Sequence, residues 1–257
     1  MKINRVILAS DPNPLYCDFW NPLSKVYSEK FGIKPTLAWI GTTDEARQCN
    51  ISDEFGEIVY IEPNANYLIP FQTTWAVFYT AQYYPDDTIL TIGIDQVPLS
   101  RLFFDMVNNI PDSDYAMLIS DAYRPHYWTT SASPTSYHIA KGSTFSQVYQ
   151  FEPTFSAEIE KLASSDIRGF WEDGEGRWGI DETWSSHKLR QTNVKIHSID
   201  NFRLLCERRI ECERWKEPNY DVTRLEDGWY SESHLCRPYA QHKEWIDGLF
   251  NNIKKWD

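Results

Sequence analysis

With 257 residues, 42% hydrophobic and 15% aromatic, the chain can bury a sizeable core in one domain, or in one domain with an appendage. Its 25 Lys+Arg against 37 Asp+Glu give a net charge of −12, which repels phosphate backbones and argues against nucleic acid as the main partner; a small phosphorylated ligand stays compatible if a divalent cation supplies positive charge. No apolar run approaches the roughly 20 residues that span a bilayer, and "MKINRVILASDPNPLY" holds too short an apolar run for a secretory signal, so the expected location is the cytoplasm.

Arg5 to Ala9, "RVILA", reads as a buried strand stopped by the turn-forming "SDPNP". Phe19, Trp20, Leu23, Val26, Tyr27 and Phe31 then recur at helical spacing, and Gly32 stands where that helix would stop. Pro35 to Ile40 and Glu57 to Ile61 read as the second and third strands, so the opening pattern of strand, helix and strand is that of an α/β fold. A helix through Phe71, Trp75, Phe78 and Gln82 follows, then a strand over Thr88 to Ile92.

Beyond Pro98, "LSRLFFDMVNN" is a further helix and Tyr115 to Ser120 a further strand, ending in "DAYRPHYW". "SYHIAKGSTFSQVYQF" reads as a strand, a Lys141-Gly142 turn and a helix capped by Ser143. "GFWEDGEGRWGIDETW" has the glycine, acid and tryptophan content of a shaped loop, followed by a helix from about Asp181 and a strand over Val194 to Ile199. The charged tail ends in a helix within "AQHKEWIDGLFNNIKKW" and is expected to pack on the domain. Cys17, Cys49, Cys206, Cys212 and Cys236 are odd in number and scattered, which predicts reduced thiols and neither a disulfide framework nor a zinc site.

Ligands of open α/β sheets bind beyond the carboxyl ends of the strands. Three polar clusters fall at predicted strand ends: Ser10-Asp11, Asp95-Gln96 and Ser120-Asp121. Asp11 and Asp121 can equally be turn formers. Asp95 follows "TILTIGI", where an unpaired charge is costly unless a cation or a donor meets it. Magnesium and manganese prefer such oxygen ligands, and the alternative is a cap on the helix after Pro98.

The stretches "ILASDPNPLYCDFWNPLSKVYSEKFGIKPTLAWIG", "TIGIDQVPLSRLFF", "AKGSTF" and "WGIDETW", in this order, resemble nucleotide-sugar glycosyltransferases of GT-A fold, a family found in large DNA viruses, phages and bacteria. The resemblance covers about residues 3 to 199. It implies a mixed open sheet flanked by helices, with residues 1–200 as the nucleotide-sugar-binding domain and 201–257 as a C-terminal helical extension.

It also implies roles. The family's Asp-x-Asp triplet holds Mn2+ or Mg2+ against the donor diphosphate, and here the triplet is Gly93-Ile94-Asp95, which retains the second acid alone. Ala9, Ser10, Asp11 and Tyr16 would lie along the nucleotide, Arg101 or Lys141 would meet phosphate, and Asp181 or Glu182 would accept the proton of an acceptor hydroxyl. For these two acids the alternative is a helix N-terminus with its dipole partner. Trp171, Trp178 and Trp184 are candidate sugar platforms or core residues, and His126, His138 and His187 candidate third metal ligands or structural side chains.

The partners so implied are a nucleotide-sugar donor and a glycan or other hydroxyl acceptor. Two other readings stand beside this one. A sugar nucleotidyltransferase would need a glycine-rich basic loop after the first strand, which "SDPNPLY" is not, and a non-catalytic glycan- or nucleotide-binding relative is suggested by Gly93.

Overall fold

Residues 1–120, 132–167, 179–199, 207–212 and 216–256 are described here from a computed structural model. Val6 and Leu8 point to one face of β1 (Arg5–Ser10), Ile7 and Ala9 to the other, and both sets are buried. Such a strand cannot lie at a surface, so layers must cover both of its faces. Neighbouring strands repeat the rule: Leu37 and Trp39 of β2 (Lys34–Ile40) join the first layer, and Ala38 and Ile40 the second.

The main sheet contains β3 (Glu57–Ile61), β2, β1, β4 (Thr88–Thr91), β7 (His138–Lys141), β6 (Tyr115–Met117) and β8 (Ile196–Ser198), in that spatial order. β7 alone runs against its neighbours in this mixed sheet. Its first face is covered by α1 (Trp20–Lys25), α4 (Leu102–Val107) and α9 (Lys243–Asn252). The second face carries α3 (Ile69–Ala81), α5 (Gly142–Tyr149), α6 (Phe155–Ser164) and α7 (Ile180–Gln191). α3 buries Phe71, Gln72, Trp75, Val77, Phe78, Tyr79 and Thr80, side chains that point in all directions, as befits a helix enclosed between the sheet and an outer helical layer.

Several elements differ from the sequence reading. α2 (Thr43–Gln48) is set by a capping box between Thr42 and Glu45, a signal present in the sequence but passed over. α6 also adds to the expected pattern. α5 starts at Gly142 with Lys141 as N-cap, and not at a Ser143 cap. A second sheet places β5 (Gln96–Pro98) antiparallel to β10 (Glu232–His234), with β9 (Arg209–Glu211) parallel on the other side of β10. Those pairings bring Cys212 and Cys236 together in a disulfide, correcting the expectation that all five cysteines are reduced; Cys17 and Cys49 are free and Cys206 lies outside the described residues. α8 (Val222–Glu226) links β9 to β10. Among the described residues no helix is long and apolar enough to cross a membrane.

Gly142 is where α5 meets the end of α3, and a β-carbon there would overlap the backbone oxygens of Tyr84 and Ala81. Backbone cannot step aside as a flexible side chain can, so Gly142→Ala should cost about 1–3 kcal/mol in urea unfolding. Gly248→Ala in α9, whose added methyl comes no nearer than 3.8 Å to Tyr220, should be neutral or stabilising in the same assay.

Candidate active site

β1 and β4 are adjacent and parallel, so their chains leave the sheet at the same end and their following loops diverge around a cavity. This cavity, of about 400 Å³, is lined by Ala9 and Ser10 at the end of β1, by Asp11, Asn13 and Tyr16 in the loop after it, and by Ile92 to Asp95 after β4. Pro70, Thr73, Thr74 and Val77 of α3 form one wall, and Thr135, Ser136 and Arg237 complete the rim. Four residues expected along a nucleotide and the expected metal ligand thus meet in one place.

Asp11 is tied down by its own loop. Its carboxylate accepts the Asn13 N–H at 2.9 Å and the Thr73 hydroxyl at 3.2 Å, which fixes the turn that carries Tyr16. The Tyr16 hydroxyl accepts from Arg237, whose guanidinium lies 5.0 Å from the centroid of the Tyr16 ring. Burial raises the Tyr16 pKa despite the opposing effect of Arg237.

Asp95 is buried, and the positive charge it needs comes from the C-terminal segment. His234 Nε2 lies 3.1 Å and Arg237 Nη1 3.3 Å from Asp95 Oδ2, while the Leu235 N–H donates to the Asp95 carbonyl at 2.7 Å. Burial alone would raise the Asp95 pKa, but the His234 hydrogen bond and the two nearby positive charges outweigh it and bring it below the ordinary value. His234 donates its other nitrogen, Nδ1, to Glu211 at 2.8 Å. Burial would lower its pKa, yet the two carboxylates raise it to about 9.

Gly93, where the family pattern has another acid, is occupied ground. Gln96 Oε1 accepts the Gly93 N–H at 3.3 Å and also receives the Ser136 hydroxyl. A β-carbon at Gly93 would stand 2.9 Å from Gln96 Oε1 and 3.1 Å from Asp95 Oδ1, tighter than ordinary van der Waals contact. The described residues therefore do not fit a divalent cation. Asp95 Oδ2 already meets His234 and Arg237, and residue 93 supplies no second carboxylate. Among the described residues no group of three or more His, Cys, Asp or Glu side chains is arranged to hold a metal.

Asp181 is buried behind the cavity and reaches it through Thr135, whose hydroxyl donates to Asp181 Oδ2. Burial raises its pKa, opposed by Thr135 and by the backbone N–H groups of Asp181 and Glu182 at the start of α7, so the helix-terminus reading describes part of its role. Glu182 is next in that turn, and its carbonyl accepts the Ser133 N–H at 3.4 Å.

The other candidates lie elsewhere. Arg101 is half exposed, 3.5 Å from Asp105 at the start of α4, and does not line the cavity. Lys141 pairs with Thr88 because β7 runs antiparallel to β4, which carries it to the opposite end of the sheet from the cavity. His138 is a core residue bonded to the Tyr115 hydroxyl at 2.8 Å and the Pro134 carbonyl at 2.6 Å, and burial lowers its pKa to about 4. His187 stacks on Trp184 with centroids 6.1 Å apart. Asp121, His126, Trp171 and Trp178 lie outside the described residues.

Arg237 and His234 are the site residues that sequence reasoning missed. Their link to Asp95 spans 139 residues for His234, and "SHLCRPY" carries no spacing rule that would announce it.

No protein-family model matches the chain, and no curated protein matches it in sequence. Two solved structures of the galactosyltransferase LgtC, one in complex with donor and acceptor sugar analogs and one an active-site mutant, are 12% identical to it. Each match covers 98% of this chain and 97% of that one, with TM-scores of 0.53 and 0.54. The glycosyltransferase GlyE of Streptococcus pneumoniae TIGR4 matches over 78% of this chain at 11% identity and a TM-score of 0.46, and the matched part is 46% of the GlyE chain. The fold is that of the GT-A glycosyltransferases: a mixed seven-stranded sheet flanked by helices.

The charges around Asp95 give stability a defined pH dependence. The His234 pKa rises from 6.5 to about 9 on folding, so its contribution is complete below the lower value and is lost as pH climbs through the higher one. Asp95, lowered from 3.8, contributes above that value and loses its contribution as pH falls through its folded pKa. In urea unfolding, the stability gap between wild type and His234→Gln should be widest near pH 6, roughly, and narrow as pH passes about 9. A gap that stays constant across this window would remove the charge from the account.

Proposed function

We propose that the protein is a glycosyltransferase that moves a sugar from a nucleotide-sugar donor to a glycan or other hydroxyl acceptor. The observation that carries this reading is the cavity at the carboxyl ends of β1 and β4, in a GT-A fold, with a tyrosine ring and an arginine fork facing one space. An aromatic face suits a nucleobase, and a planar guanidinium suits two phosphate oxygens at once. The LgtC structure with donor and acceptor sugar analogs lends support by likeness of fold.

In the reaction the bond between the anomeric carbon and the diphosphate oxygen breaks, positive charge builds on the sugar, and negative charge builds on the leaving diphosphate. Positive groups near the diphosphate lower that barrier. The acceptor hydroxyl must lose its proton, and Asp181 and Glu182 are the acids this reading assigns to that role. Asp181 is connected to the cavity through Thr135.

The test is release of nucleoside diphosphate from a panel of nucleotide sugars, with and without saccharide acceptors. One donor should be consumed faster in the presence of an acceptor. Asp95→Asn should abolish transfer in a folded protein. Of Asp181→Ala and Glu182→Ala, the one that removes the proton acceptor should lose at least about a hundredfold in rate. Tight binding of a nucleotide sugar with no turnover on any acceptor would favour the non-catalytic relative instead.

A further inference from the structure

We infer that the donor diphosphate is neutralised in this cavity by Arg237, braced by the Asp95–His234–Glu211 chain, and not by a divalent cation. The inference rests on the nucleotide-sugar reading above and specifies how that site handles charge. A cation serving the diphosphate from Asp95 would have to use the lone pairs of its carboxylate. At Oδ2 those lone pairs already face His234 Nε2 at 3.1 Å and Arg237 Nη1 at 3.3 Å. An incoming doubly charged ion would stand within a few ångströms of the Arg237 guanidinium, where repulsion is strong in a partly buried site. His234 cannot turn into a ligand without giving up a carboxylate, because its other nitrogen donates to Glu211 at 2.8 Å.

Gly93 supplies no carboxylate to share a cation with Asp95. Beside it Gln96 Oε1 accepts the Ser136 hydroxyl and the Gly93 N–H.

Arg237, by contrast, is built into the rim. It lines the cavity, it donates to the Tyr16 hydroxyl, and it is the next residue after Cys236, which is anchored to Cys212. Asp95 Oδ2 and the Tyr16 hydroxyl both meet its Nη1, so the guanidinium meets a diphosphate with little rotamer freedom left to lose. In a chain of net charge −12, Arg237 is the cation in a lining that also holds the carboxylates of Asp11 and Asp95.

The experiment is calorimetric titration of the full chain with UDP, GDP, ADP, CDP and TDP, each in EDTA and each in excess MnCl2. One of these should bind in EDTA, and manganese should change its Kd by less than about threefold. Arg237→Ala should weaken that binding at least about tenfold in EDTA, with Arg237→Lys intermediate because a lysine keeps the charge and loses the fork. Circular dichroism confirms that each variant is folded, and the manganese comparison on wild type needs no variant. Binding that requires manganese overturns the inference and leaves the glycosyltransferase reading standing, as does unchanged binding in folded Arg237→Ala. Failure of all five nucleotides under both conditions overturns the nucleotide-sugar reading, and this inference with it.

Discussion

A carboxylate leaving water at the end of a buried strand must meet positive charge, and in this protein that requirement at Asp95 governs how the C-terminal segment is arranged. β10 pairs with β5, which directly follows Asp95, and so delivers His234 and Arg237 to the carboxylate. β9 adds Glu211 on the far side of His234, so that charges alternate along the chain Asp95, His234, Glu211. The Cys212–Cys236 disulfide ties the two tail strands next to this chain. Buried polar networks of this kind cost much when a member is missing, which couples the tail to the cavity energetically as well as geometrically.

The cavity itself follows from the sheet. Strands buried on both faces leave no room for a ligand along their length, so binding is confined to their ends. β1 and β4 are parallel neighbours, and both loops that follow them open on the same side. α3 stands against this opening with Thr73 and Thr74 toward it, and Thr73 fastens Asp11. The reversal of β7 has two consequences. Thr135 and Ser136, which precede it, reach the rim, and Lys141 at its other end is carried away.

The α/β class, the order of the early elements and the polar character of the loops after β1 and β4 were all legible in the sequence, because they rest on local periodicity and on turn chemistry. Ser10, Asp11 and Asp95 could be picked out because they stand just past apolar runs, whereas Ala9 and Tyr16 were implied by the resemblance to the GT-A family alone. The short strands β5, β9 and β10 were not legible, since three residues carry too little pattern, and their existence depends on partners distant in the chain. Lys141 was misplaced because a sequence does not reveal which strand of a mixed sheet runs backwards.

By itself the sequence determined which segments must be buried and where polar groups would gather at strand ends, because the alternation of apolar side chains and the chemistry of turns act between near neighbours. Only the tertiary structure decided what meets Asp95. Whether a buried carboxylate faces a metal, a helix N-terminus or an arginine depends on what the folded chain brings within about 3–4 Å, a range at which charges and hydrogen bonds are felt strongly. Here that partner comes from Arg237 and His234, and the space beside Gly93 is taken by Gln96.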